Sequence, residues 1–344
     1  MEKEVYYSDY LQLDKILNAQ QPESDKPGRT PAHDEMLFII IHQTYELWFK
    51  QVLYEVGSVL DIMSQPSIQD NSPDLFHVNH RLKRVTTILQ VLIDQVSILE
   101  TMTALDFLDF RNMLRPASGF QSIQFKLLEA HLGLKMEQRH GRNYYVSQLK
   151  PEDASVIANA EHKSSLIELI NGWLERMPFF DKKEFWDGWQ QENGPSTFWE
   201  KYTRVYESSL GEQERFNLKR FEEVVTGSEK KPEWNLSPKA RRAALFILLY
   251  RDYPLLQLPF QLINNLLEID ECLATWRYRH MNMVHRMIGT RTGTGGSTGK
   301  DYLKGALDKH YIFGEFAELT TFMIERNKLP ALPAALKARL GFEI

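Results

Sequence analysis

The chain has almost no sulfur chemistry to offer and no segment made for a membrane. Of its 344 residues only Cys272 is a cysteine, so no intrachain disulfide can form and a reducing compartment suits it. That residue sits in the helix-forming run LLEIDECLATW, where a buried inert thiol is expected rather than a nucleophile or a metal thiolate. No stretch approaches the ~18 uninterrupted apolar residues of a transmembrane helix. Neither sign of charge dominates: 41 Lys and Arg against 46 Asp and Glu leave −5, with the signs interspersed, which argues against a general nucleic-acid binder. The opening MEKEVYYSDY is acidic and aromatic and lacks a signal-peptide pattern, so the expected location is the cytoplasm. Strand-type alternation, a Cys–His zinc pattern, a strand-bound GxGxxG, a Walker lysine and a GxSxG elbow are also missing.

What is present is helix. Asp34 opens a run in which Leu37, Phe38, Ile41, Tyr45, Trp48, Phe49, Val52 and Val56 form one stripe. Leu82, Val85, Leu89, Leu92, Val96 and Leu99 form a second, on a helix expected over 75–103. Further helices are expected near 120–139, 152–176, 197–225, 238–251, 258–288 and 301–323. Prolines fall where these runs start or stop, and Ser237-Pro238 reads as an N-cap followed by proline in the first turn. No fixed-period repeat emerges. The expectation is an all-α helical bundle, one domain over 1–344, with 177–236 as a small helical excursion.

The stretch WRYRHMNMVHRMIG, followed by TRTGTGGSTG, carries the most chemistry. His280 shares a helical face with Trp276, Met283, Val284 and Met287. The run then breaks into a segment where Gly289, Gly293, Gly295, Gly296 and Gly299 alternate with Thr and Ser. Glycines permit close backbone approach and hydroxyls supply donors and acceptors, which suits a loop wrapped around a small polar ligand. A surface linker is the plainer reading.

His42, like His280, lies on an apolar stripe. Each could be a hydrogen-bonded core residue; together they could face each other across a planar cofactor, and haem fits a helical bundle. A di-iron carboxylate site needs two Glu-x-x-His pairs, and only Glu137…His140 matches. His77 and His80 lie in a polar helix start and read as solvated. In LDFLDFRNMLRPASGFQSIQFK, Arg111 follows Phe107 by four residues and sits among aromatics. A guanidinium there either pairs with an internal acid such as Asp109 or holds an external carboxylate in its fork. Ser118, in the PASGFQS turn, is placed to donate to a second ligand atom.

The segments YLQLDKILNAQ (10–20), HDEMLFIIIHQTYELWFKQ (33–51), FRNMLRPASGFQSIQFK (110–126), LPFQL (258–262) and WRYRHMNMVHRMIGTRTGTGGSTG (276–299) are, in this order, similar to those of the tryptophan 2,3-dioxygenase family of haem enzymes. The resemblance spans nearly the whole chain. It implies a bundle enclosing haem b, and insertion of O2 across the indole C2–C3 bond of L-tryptophan to give N-formylkynurenine, the first step of the kynurenine pathway. His280 would be the proximal iron ligand and His42 the distal histidine that bonds the indole N–H. Arg111 would clamp the substrate carboxylate, and Thr294 would take the ammonium. Phe38 and Phe107 would wall the indole, with Ser118 and Gly293 beside the haem. The resemblance also implies a homotetramer, in which an arm of residues 1–20 carries Tyr7, Tyr10 and Leu11 into a neighbouring subunit's site.

Overall fold

A computed structural model describes residues 4–66, 68, 72–135, 149–180, 182–190, 196–228, 234–291 and 311–341. Two short helices, α1 (Tyr7–Leu11) and α2 (Leu13–Leu17), form the N-terminal arm and meet at Gln12, whose φ of 53° turns the chain. Two long helices follow, α3 (Asp34–Met63) and α4 (Pro73–Leu99), the second with proline in its first turn. The next helix, α5 (Ala104–Arg111), is nucleated by a capping box. The Thr103 N–H donates to Asp106 Oδ2 at 2.8 Å, and the Asp106 N–H returns to Thr103 Oγ1 at 3.3 Å.

The helix expected over 120–139 is α6 (Ile123–Leu132), and it stops early. Gly133 takes a φ of 131°, and a Cβ there would collide with Ile167, so glycine is required. The run expected over 152–176 is two helices, α7 (Pro151–Glu161) and α8 (Leu166–Glu175). The break is chemical: Ser165 N–H and Oγ both donate to Glu168 Oε2 at 3.0 Å, which starts a new helix. Likewise 197–225 divides into α9 (Phe198–Ser209) and α10 (Phe216–Phe221). Then come α11 (Pro238–Leu249) and the longest helix, α12 (Pro254–Ile288), which begins four residues before the expected start and runs through Pro259. The chain closes with α13 (Gly314–Leu319) and α14 (Ala334–Leu340).

No strand occurs among the described residues. α4 packs along both α3 and α12, so it forms the back against which those two helices stand; α6 packs on α3 and α11 on α8. One apolar cluster runs from Ile41 to Leu340. It takes in Phe179, Phe198, Tyr202, Tyr206 and Phe221 from the aromatic-rich middle of the chain. Buried tyrosines fasten the C-terminal segment from the side. The hydroxyls of Tyr202, Tyr206 and Tyr250 donate to the carbonyls of Phe322, Thr321 and Pro330 at 2.7, 3.1 and 2.7 Å. The buried carboxylate of Asp270 on α12 accepts the backbone N–H groups of Ile312 and Phe313 at 3.1 and 2.6 Å. Among the described residues no single helix is long and apolar enough to cross a membrane.

Candidate functional site

α3 and α12 approach each other through aromatic side chains. Trp276 meets Tyr45 and Phe49 edge-on, each with centroids 6.1 Å away, and Phe125 of α6 at 5.1 Å. One turn further along each helix lie His280 on α12 and His42 on α3. The His280 imidazole stacks on Trp276 with centroids 5.4 Å apart and planes 1° from parallel. Its side chain makes no hydrogen bond among the described residues. Burial, and then the charge of His42, hold its pKa down at about 4, so the ring is neutral at physiological pH. Both histidines are half-buried.

His42 is fixed by its own helix. Its Nδ1 lies 2.7 Å from the Phe38 carbonyl oxygen, which can only accept, so the proton is on Nδ1 and the lone pair on Nε2. Burial lowers the His42 pKa, against the opposing pull of that carbonyl and of Glu46. The Phe38 ring lies 4.1 Å from the His42 ring, 5.7 Å from Phe107 and 5.5 Å from Phe110, centroid to centroid. Phe107 and Phe110 are edge-to-face at 5.4 Å. These four rings bring α3 and α5 together as one apolar wall.

Arg111 ends α5 one turn beyond Phe107 and is 5% exposed. Asp109 forms no ion pair with it among the described residues. Its pKa is lowered first by burial, then by the positive charges of Arg115 and Arg291. Arg291 follows the end of α12, where Gly289 takes a φ of 58° and the Arg291 N–H bonds the Ile288 carbonyl at 3.1 Å. Ser118 caps a short 3-10 turn: its hydroxyl accepts the Phe120 N–H at 3.4 Å, which leaves the O–H free to donate outward.

The structure thus brings Phe38, His42 and Phe107 together, with Arg111 one turn beyond Phe107, and sets His280 on α12 against the Trp276 that meets Tyr45 and Phe49 of α3. Gly293 and Thr294 lie outside the described residues, as do Glu137 and His140. Tyr7 and Tyr10, at 71% and 74% exposed, and Leu11 stand on the arm, away from these rings within the chain. His80 Nε2 is engaged by Arg84 at 3.1 Å, and no cluster of three His, Cys, Asp or Glu able to hold a metal occurs among the described residues.

Two ties that sequence reasoning missed flank His280. Arg277 pairs with Glu129 of α6 at 2.7 Å, both 5% exposed, and Arg279 reaches Glu100 at 3.2 Å and the Ile93 carbonyl at 3.0 Å. Glu129 lies 148 residues from Arg277, so no local spacing in the sequence joins them.

Comparison with known proteins settles the lineage. The family model described as tryptophan 2,3-dioxygenase matches residues 1–323. The chain belongs to the tryptophan 2,3-dioxygenase family. It is similar to proteins of that name from Bdellovibrio bacteriovorus (43% identical, covering 98% of each chain) and Alteromonas mediterranea (44%, covering 98% of this chain and 97% of the other). The one from Mus musculus is 39% identical over 95% of this chain and 84% of its own.

Proposed function

We propose that the chain is a haem-dependent dioxygenase that converts L-tryptophan and O2 to N-formylkynurenine, the opening step of tryptophan catabolism. Family membership supports the reaction. The observation that carries the site is a neutral His280 stacked on Trp276 of α12, beside α3, whose Tyr45 and Phe49 meet that Trp276 and whose His42 is fixed in one tautomer. A neutral imidazole without a hydrogen-bond partner among the described residues has the donor chemistry of an iron ligand, and the apolar side chains around it would suit a porphyrin. His280 would hold haem b by its iron, with Ser118 and Gly293 at the haem edge. The bound haem supplies activation of O2; the protein supplies orientation and exclusion of water.

His42 Nε2, kept basic by the Nδ1–H bond to Phe38, accepts the indole N–H and sets the ring's orientation without having to take its proton. Phe38 and Phe107 exclude water from the two indole carbons that react. Arg111, one turn beyond Phe107, receives the carboxylate in its fork, and Thr294 binds the ammonium.

The assembly is a homotetramer, in which Tyr7, Tyr10 and Leu11 reach a neighbouring copy. Two observations support this: the exposed apolar arm, and a stripe of Met36, Ile40, Leu47 and Tyr54 along the outer face of α3. An open groove of about 670 Å³, bordered by Leu47, Trp48, Arg84 and Ile88, lies on that outer face. The cytoplasm is the proposed location.

The test is an absorption spectrum of the reduced, haem-loaded protein before and after L-tryptophan and air. A histidine-ligated Soret band with N-formylkynurenine formation supports the reading. A band that shifts with tryptophan but gives no product points to a sensor. No Soret band at all makes His280 a core histidine.

A further inference from the structure

His280 stands between two arginines that leave α12 on either side of it. At about 100° a residue, Arg277 lies about 60° to one side of His280 around the helix axis and Arg279 about 100° to the other. Tyr278, between them in sequence, falls on the far side of the helix and is exposed. The two arginines reach different helices. Arg277 pairs with the buried Glu129 of α6 at 2.7 Å, and its guanidinium carbon lies 5.8 Å from the centre of the Phe125 ring, which also meets Trp276. Arg279 spreads its fork over the end of α4: one nitrogen donates to the Ile93 carbonyl at 3.0 Å, the other to the Glu100 carboxylate at 3.2 Å. Rotation of α12 in either sense strains one tie or the other. A buried ion pair adds little stability over apolar side chains of similar size, because desolvation consumes most of the Coulombic gain; what a directed pair can fix is where the helix sits. The stakes are geometric, since a turn of about 10° at a radius of about 6 Å moves a side-chain tip by about 1 Å.

We propose that Arg277 and Arg279 are positioning residues for the reaction: they brace α12 from both sides, fix its rotation about its own axis, and so aim the His280 imidazole. The inference rests on the functional reading above, in which His280 holds the haem iron. The stack on Trp276 sets the plane of the ring relative to its helix, and the brace sets where the helix presents it.

In the holoenzyme, aim can be separated from stability. Arg277→Met/Glu129→Leu exchanges the buried charges for apolar side chains, whose burial is favourable but carries no direction. Arg279→Met cuts the second tie at a half-buried site. Tyr250→Phe, at the end of α11, is the control, since it removes a buried hydrogen bond outside the brace. The readout is the iron–histidine stretching band in the resonance Raman spectrum of the ferrous protein, with kcat and KM for L-tryptophan beside it. In both brace variants the band shifts or broadens and kcat falls by on the order of tenfold or more, while KM, which the functional reading assigns to α3 and α5, stays within about twofold. Arg277→Lys, which can still offer Glu129 one charged nitrogen, keeps the parent band and kcat. Tyr250→Phe lowers the midpoint of urea unfolding and leaves the band in place. An unchanged band in the brace variants, a band moved as far by Tyr250→Phe, or loss of the parent band in Arg277→Lys overturns the proposal. Absence of an iron–histidine band from the parent would instead overturn the functional reading, so the two failures are distinguishable.

Discussion

The Trp276 indole and the His280 imidazole lie one helical turn apart and stack within 1° of parallel at 5.4 Å. The stack fixes the plane of the imidazole, while Tyr45, Phe49 and Phe125 hold the indole from three sides. The ring is therefore oriented by packing rather than by a hydrogen bond. A neutral imidazole held this way keeps its one basic lone pair unspent among the described residues.

Removing the two histidines should have unequal effects. His280→Ala should lose stable haem, read as loss of the Soret band after gel filtration. His42→Ala should slow formation of N-formylkynurenine without abolishing it, since the residue orients the indole rather than carrying an obligatory proton. Full activity in a haem-free His280→Ala protein would sink the scheme.

Arg111→Leu should raise KM for L-tryptophan by roughly tenfold or more, the cost of deleting one side of a desolvated charge pair. Indole, which has no carboxylate, should be unaffected. Steady-state kinetics with both compounds decides it, and an unchanged KM would make Arg111 a structural residue.

In the proposed role His42 accepts the indole N–H, which requires the neutral ring. Its pKa is lowered from 6.5, so the neutral form persists as pH falls to that value and protonates only below it. The acid limb of kcat/KM for tryptophan should therefore have its midpoint below 6.5. A midpoint at or above 6.5 in the holoenzyme would contradict the tautomer argument.

Arg277→Met should destabilise the protein by roughly 1.5–3 kcal/mol, because it takes a charged hydrogen-bond partner from the buried Glu129 carboxylate. Arg277→Met/Glu129→Leu should recover most of that loss. Urea unfolding of parent, single and double variants measures both, and a double variant no more stable than the single would show that burial of charge is not the cause.

Much of this site could be seen in the chain itself because it lies on helical stripes. His42 falls four residues after Phe38, and His280 four after Trp276, so each pair shares a face and the structure keeps both. The turn from Phe107 to Arg111 was visible too, but the helix that carries it was not bounded, although Thr103 and Asp106 spell its capping box. Ser165 and Glu168 spell the one that divides α7 from α8. The Arg277–Glu129 pair leaves no trace in sequence, since it joins residues that only the packing of α6 on α12 brings together.

Asp270 and His280 stand on the same helix, ten residues apart, and Asp270 grips the chain at Ile312 and Phe313. One buried acid on the helix that carries His280 therefore also fixes the chain at 312–313. A substitution that removed this carboxylate would leave two buried backbone N–H groups without their acceptor and release that segment from α12.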